Sequence, residues 1–278
     1  MVGSLKEFVT RAIKRNANII STHCFLHRES LASKILPVAL KPVLDKVVSM
    51  VNIIKSRPLK IRVFKNLCIF METKYESLLL HTEVRWLSGG KVLRRFLELN
   101  DELMNFFQKE NMDDFVEYLQ NDIWCAKLAY LANSFDYLNC VDSSVQGRKE
   151  NFLTMTNKLT AFRKKVIFWK NRVLEKKKVD IYPSLNDNTT DDIISAVTEH
   201  LTLLEEKIEF YFPSINVETY DWIHNPFAKV YTSNSKLSYQ EEEELINLLS
   251  DRTLKMKFSE MVLEEFGSFC KKNTQLYP

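Results

Sequence analysis

The chain has 278 residues, of which 45% are apolar and 27% charged, a mixture typical of a folded soluble protein. Five glycines and seven prolines are too few for a loop-rich sandwich or barrel, and the apolar content is too high for a disordered chain. No apolar run reaches the ~18–20 residues of a membrane span, and the N-terminus lacks the apolar stretch of a secretory signal. We therefore expect a cytoplasmic or nuclear protein of one large or two ordinary domains, with no membrane partner.

Five cysteines stand at positions 24, 68, 125, 140 and 270. Their number is odd, their spacing is wide and no CxxC pair occurs, which argues against a disulfide framework and against a four-ligand zinc module. We expect most of them to be small core residues.

The net charge of +3 says little, but the distribution of charge is uneven. Basic residues dominate between Lys55 and Arg95 and again between Arg163 and Lys178, whereas the run Glu241–Glu244 is acidic. Two basic segments on a nearly neutral chain indicate either a nucleic-acid footprint or solvated helix faces, and charge alone leaves both interpretations open.

Apolar residues recur at steps of three and four along most of the chain, which predicts a mainly α-helical fold. Pro37 and Pro42 mark the start of the first clear helix. Ser88-Gly89-Gly90 predicts a break, and Asp113 or Asp114 a helix cap. The predicted helices cover about 38–54, 60–71, 91–109, 113–139, 144–175, 191–211, 239–249 and 259–272, with 181–190 as the clearest loop.

One segment, 18–24, is typical of a β-strand because Ile19, Ile20 and Thr22 lie within it. A single strand cannot satisfy its ladder hydrogen bonds. We therefore expect either further strands in the chain or a sheet whose other strands precede this sequence.

Two short motifs carry candidate chemistry. Cys24 and His27 form a CxxH at the end of the predicted strand, which suits either a shared metal or a structural role; without a second pair of ligands we expect no metal site. Arg85 and Trp86 precede the Gly-Gly turn. A ring there can stack on an unpaired base while the arginine holds a phosphate, but a core tryptophan beside a surface arginine fits equally.

No motif for nucleotide binding, zinc proteolysis or serine hydrolysis occurs in the sequence. Asp191-Asp192 and the Glu241–Glu244 run are paired carboxylates, but they stand at a helix start and in a solvated run. We expect no catalytic residues, no cofactor and no small-molecule substrate.

In their order, three segments resemble hAT-superfamily transposases: HCFLHRESL from His23, HTEVRWLS from His81 and WIHNPF from Trp222. They are closer still to domesticated relatives: the zinc finger BED domain-containing proteins, the SCAN domain-containing proteins with a transposase body, and the general transcription factor II-I repeat domain-containing protein 2 group. The resemblance covers essentially the whole chain.

The resemblance implies an RNase H-like core that is split by a long helical insertion and holds two metal ions through three acidic residues. It also implies that Cys24 and His27 lie beside that core, and that Arg85 and Trp86 lie in the insertion, where the tryptophan stacks on a flipped base. By the same resemblance, all three acids belong before Met1 or after Pro278, and no acidic residue of this chain replaces them.

We therefore predict the helical insertion of a hAT transposase with a remnant of its core. The predicted divisions are a core remnant at 1–35, the helical insertion at 36–250 and an incomplete C-terminal region at 251–278. The predicted function is that of a domesticated, catalytically inactive nuclear protein with residual DNA binding. A protein-interaction scaffold or homo-oligomer, and a fragment without function, are the alternatives.

The predicted nucleic-acid surface has two parts. The first consists of Arg85, Trp86, Lys91, Arg94 and Arg95. The second consists of Lys164, Lys165, Lys176, Lys177 and Lys178. Salt separates the two classes of partner, since phosphate binding weakens steeply as salt rises and apolar association does not.

Overall fold

A computed structural model describes residues 2–15, 36–79, 88–146, 150–177, 179, 182, 190–212, 225, 227 and 239–273. Within these ranges the fold is helical and holds no strand, as the apolar periodicity predicts. The predicted strand at 18–24 lies outside the described residues. None of the described helices is long and apolar enough to cross a membrane.

Twelve helices occupy the described ranges. They are α1 (Val2–Arg15), α2 (Lys41–Lys55), α3 (Pro58–Phe70), α4 (Ser88–Glu98), α5 (Asn100–Lys109), α6 (Asp113–Gln120), α7 (Asp122–Val145), α8 (Phe152–Lys176), α9 (Asp191–Tyr211), α10 (Tyr239–Ser250), α11 (Arg252–Glu260) and α12 (Leu263–Asn273).

Local signals explain where several helices begin. Pro42 and Pro58 occupy the first turns of α2 and α3, where a missing N–H removes no helical hydrogen bond. Asn121 caps α7 by accepting a hydrogen bond from the Trp124 amide at 2.9 Å. Asp113 is not a cap, contrary to prediction: it lies inside the first turn of α6, where its charge still suits the helix dipole.

The chain forms two compact units. The first comprises Met1–Gln146 and Lys158–Pro213, and the second Gly147–Asn157 and Ser214–Pro278. The four described cysteines are free thiols; Cys68 is buried and Cys140 exposed. The divisions predicted from the sequence at residues 35 and 250 stay a prediction.

The long helix α7 is at the centre of the first unit, since α2, α4, α6 and α9 all pack on it. Its segment from Leu128 to Phe135 is buried on every side, and such all-round burial is typical of a central helix. Ile123 stands four residues after the buried Leu119 in sequence, but it precedes this segment and is exposed. Phenylalanines from α3, α4 and α5 fill the core on one side of the unit: Phe64, Phe96, Phe106 and Phe107.

Helix α4 begins at Ser88, so the Gly-Gly pair is part of a helix and not the predicted break. The interruption comes at Leu99, between α4 and α5. Close packing explains the use of glycine: a Cβ on Gly90 would lie 2.6 Å from Asn139 Nδ2 and 3.1 Å from Phe135 Cβ, both on α7. Position 90 thus lets the two helices approach.

The second unit contains α10, α11 and α12. Phe227, Phe258 and Phe266 form an aromatic cluster with ring centroids 5.0–6.1 Å apart. Asp251 caps α11 by accepting hydrogen bonds from the amides of Thr253 and Leu254. We expected two helices in this stretch, and three are present because Asp251 and Met261 interrupt them.

Candidate nucleic-acid interface

Helix α4 carries the described part of the first predicted surface, namely Lys91, Arg94 and Arg95. Its opposite side is buried through Val92, Leu93 and Phe96, which pack into the core of the first unit. The three basic residues therefore lie along the outer edge of a helix that is firmly seated on α7.

Arg94 forms an ion pair with Asp136 of α7. Its side chain is half exposed, so this pair is a surface interaction of small energy, on the order of 0–1 kcal/mol. The pair nonetheless neutralises the arginine locally, and a phosphate would have to compete with Asp136 for it.

Arg95 has a structural role. Its guanidinium carbon lies 3.4 Å from the centroid of the Tyr75 ring, and its Nη1 donates a hydrogen bond to the Ser77 carbonyl at 3.0 Å. Stacking and a charged hydrogen bond together stabilise the connection between α3 and α4, where Leu78 is buried. Arg95 is therefore engaged within the protein.

Lys91 is exposed and pairs with no described acidic residue. Arg85 and Trp86, like Cys24 and His27, lie outside the described residues, so their predicted roles stay predictions. Within the described residues, the structure thus leaves one of the three predicted cations of this surface open to a ligand.

The second predicted surface lies on α8. Lys164, Lys165 and Lys176 are exposed on the helix, and Lys177 follows its last residue; Lys178 lies outside the described residues. Lys177 ends the helix in the left-handed region, with φ 52°, while its amide still bonds to the Val173 carbonyl. Glu175 is the one exposed acid among them.

Phe168 lies on the same side of α8 and was missed by the sequence analysis. Phe168 is 57% exposed to solvent. Along the helix it follows Lys164 by four residues and Lys165 by three, so all three side chains share one face. The signal was present in the sequence, because Phe168 falls outside the apolar stripe of Phe162, Val166 and Val173. We call Lys164, Lys165 and Phe168 the α8 lysine face. Lys176 is rotated from Phe168 by about 80° around the helix and Lys177 follows the last helical residue, so neither belongs to this face.

Two other cations of α8 are engaged with α9. Arg163 pairs with Glu209 at 3.0 Å, and Lys170 pairs with Glu205. These pairs lie toward the packed side of the helix, where they hold α8 on α9. The lysines of the α8 lysine face make no ion pair with a described residue and remain available to an external anion.

A buried polar cluster lies where α7 and α9 meet. The Tyr130 hydroxyl hydrogen-bonds to His200 Nδ1. The Tyr182 ring packs edge-on against the Tyr130 ring, with 4.7 Å between the two ring centroids. Burial lowers the pKa of His200 to about 4 and raises the pKa of both tyrosines, so all three are neutral at pH 7. With neither nucleophile nor opening to solvent, the cluster is structural.

No group of three or more potential metal ligands occurs among the described residues. Burial also raises the pKa of the Cys68 thiol, the opposite of what a reactive or metal-binding cysteine needs.

A comparison with known protein families supports the general group that the sequence motifs resemble, the transposase-derived proteins. Residues 23–174 match the model of the FAM200/GTF2IRD2 helical domain, a domain of transposase-derived proteins. The match covers more than half of the chain and includes α2 to α7 with most of α8. No solved structure matches the chain. The predicted resemblance to transposase-derived proteins is thus confirmed, whereas membership of the hAT superfamily stays a prediction.

Proposed function

The chain belongs to the FAM200/GTF2IRD2-like helical-domain family, and from this membership we propose that it is a domesticated, transposase-derived nuclear protein that binds nucleic acid without catalysing a reaction. The proposal treats the helical bundle as the insertion domain of a hAT transposase and the first 35 residues as a remnant of its RNase H-like core.

The α8 lysine face is the observation that carries the binding proposal. Lys164 and Lys165 are exposed on this face, and the exposed Lys176 and Lys177 follow about 18–20 Å farther along the helix, on a different side of it. A phosphate backbone provides anions over such a distance, and lysines contact it as point charges. Since the neighbouring Arg163 and Lys170 already pair with α9, the helix separates cations used for folding from cations left for a ligand.

Binding is tested by fluorescence anisotropy of the whole chain with labelled single-stranded and duplex DNA between 50 and 300 mM salt. We expect log K to fall linearly with log salt, and the double variant Lys164→Ala/Lys165→Ala to reduce that slope by about 1.5. Lys91→Ala tests the first predicted surface through the same change of slope. Trp86→Ala removes no charge, so it should lower the affinity at every salt concentration and leave the slope unchanged. A folded protein that binds neither DNA at 50 mM salt would contradict the proposal.

The matched control for the lysine variant is Lys65→Ala. Lys65 is a surface lysine of the same unit, but it pairs with Glu76 at 2.9 Å. Its loss removes one positive charge, half of what the double variant removes, while leaving the α8 lysine face intact. Equal effects of the α8 and Lys65 variants, per charge removed, would assign binding to net charge rather than to a site.

A second candidate function, protein binding, is favoured by α3. Leu59, Val63 and Phe70 follow one another along an exposed face of this helix, and Phe70 is 83% exposed. On this helix Lys60 pairs with Glu110 and Lys65 with Glu76, whereas Arg62 is exposed. The fitting partner is therefore an amphipathic helix that brings an apolar face and an acidic residue beside Arg62. Association that survives high salt and is lost in Phe70→Ser would support this function; salt-sensitive binding unchanged by Phe70→Ser would contradict it.

A further inference from the structure

Phe168 stands opposite the buried side of α8. Val166 and Val173 are fully buried and Phe162 nearly so, all on the inward face, whereas Phe168 points away from it. At 3.6 residues per turn, Phe168 is rotated by roughly 160° from Val166. An exposed phenylalanine loses the favourable free energy of burial, although isolated exposed apolar residues are common. The residues next to Phe168 distinguish it from an isolated exposed side chain.

Two lysines precede Phe168 on the same face of α8. Lys164 and Lys165 lie one turn before it, where side chains at i−4 and i−3 are its nearest neighbours on the surface. Both lysines are exposed. A flat apolar ring beside two unpaired cations suits a ligand that carries a flat ring and a phosphate close together, and a nucleotide has both.

Phe210 shows that this arrangement is not general for exposed phenylalanines of the first unit. It is 73% exposed on α9, and Lys207 Nζ lies 5.8 Å from its ring centroid. However, the exposed Glu206 stands at i−4 of Phe210, where its side chain is a surface neighbour of the ring. Its carboxylate repels a phosphate, so Phe210 lacks the pair of cations that stands beside Phe168.

Resting on the proposed nucleic-acid binding, we infer that the α8 lysine face takes single-stranded nucleic acid, with an unpaired base stacked on Phe168 and the adjoining phosphates held by Lys164 and Lys165. In a duplex the base faces are covered by neighbouring bases, and a ring on the convex surface of a helix reaches only the backbone. A single strand exposes its base faces, and each base stacked on an aromatic ring contributes about 1–3 kcal/mol. The ring therefore selects unpaired bases, while the lysines serve any phosphate backbone.

The test compares three labelled ligands of equal length: an oligothymidylate, the same backbone made of abasic nucleotides, and a duplex. All are titrated against the whole chain by anisotropy at 100 mM salt. We expect the oligothymidylate to bind about 5- to 100-fold more tightly than the abasic strand. Phe168→Ala should abolish this difference, and Phe168→Tyr should keep it. Phe168→Leu, which retains an apolar side chain but no ring, should behave like Phe168→Ala.

Phe210→Ala is the matched control, and circular dichroism checks that every variant keeps its helices; Phe168 is exposed, so its loss leaves the core unchanged. If the abasic strand binds as well as the oligothymidylate while Lys164→Ala/Lys165→Ala weakens both, the stacking inference fails and the proposed function stands. If no nucleic acid binds, both fail. If Phe168→Ala and Phe210→Ala weaken binding equally, the effect is not that of a stacking site, and the inference is overturned.

Discussion

The hydroxyl of Tyr130 on α7 lies 2.7 Å from Nδ1 of His200 on α9, and both residues are buried. The other ring nitrogen, Nε2, has no hydrogen-bond partner among the described residues. A second proton on this ring would therefore be buried without a counter-charge. This contact joins two helices of the first unit through a group that must stay neutral.

Protonation of His200 makes the stability of the first unit depend on pH. Burial lowers the pKa of His200 to about 4, against about 6.5 in an unfolded chain. Between these values the unfolded chain binds a proton that the folded chain does not, so the free energy of unfolding falls as the pH falls. The contribution is complete above about pH 6.5 and is lost toward pH 4, a total of roughly 3 kcal/mol.

Urea unfolding at pH 7, 6 and 5 measures this effect against His200→Gln. Glutamine retains an acceptor for Tyr130 but does not titrate in this range. The raised pKa of Asp142, caused by burial, acts in the opposite sense and is common to both proteins. We expect the variant to lose less stability between pH 7 and 5; equal losses would show that His200 is accessible to protons in the folded state.

Gly90→Ala should destabilise the first unit by about 1 kcal/mol, although alanine is the better helix former by about the same amount. The added methyl would meet Asn139 Nδ2 at 2.6 Å and Phe135 Cβ at 3.1 Å, and overpacking costs about 1–3 kcal/mol. Thermal unfolding followed by circular dichroism measures the change. Gly267→Ala in α12 is the control, because nothing lies within 4 Å of the added methyl there; it should be neutral or stabilising.

Arg95→Ala should lower the free energy of unfolding by about 1–2 kcal/mol, since it removes the stacking on Tyr75 and the hydrogen bond to the Ser77 carbonyl. Lys91→Ala, one turn earlier and exposed, should change stability by less than about 0.5 kcal/mol. Chemical denaturation compares the two. If Arg95→Ala leaves stability unchanged but weakens nucleic-acid binding, Arg95 belongs to the interface after all.

Asp251→Ala should destabilise α11 by about 1 kcal/mol, because the carboxylate accepts hydrogen bonds from two amides at the helix start, at 2.7 and 3.1 Å. Amide hydrogen exchange of residues 252–256 reports the local opening. Asp251→Asn keeps the acceptor and should retain most of the protection. Asp113→Ala offers a contrast, since Asp113 lies within the first turn of α6 and is not its cap.

Periodicity predicted the helices whose inward stripe is continuous. In α9, Ile194, Val197, Leu201 and Ile208 are buried as expected, and in α8 so are Leu159, Phe162, Val166 and Val173. The break between α4 and α5 was missed because Phe96, Leu99 and Leu103 keep helical spacing across it. The spacing of apolar residues indicates which residues face the core. It does not indicate whether those residues belong to one straight helix or to two helices with different axes.

The candidate site was less predictable, because a sequence does not show which cations are already paired. Arg94 and Lys164 are both basic residues on amphipathic helices. Asp136, which neutralises Arg94, is 42 residues away in sequence and meets it through the packing of α4 on α7. Charge runs thus indicated where cations are, and tertiary contacts determine which of them a ligand can use.

The close contact at Gly90 has a consequence for sequence variation. Any side chain at position 90 must fit the surface of α7 beside Phe135 and Asn139, whereas Lys91, the next residue, faces solvent. Among homologues that keep this packing, we expect position 90 to be held at glycine and position 91 to vary widely. The second glycine of the RWLSGG segment would then identify the close packing of α4 on α7 in those homologues. This would hold whether or not a homologue binds a ligand on the outer side of α4.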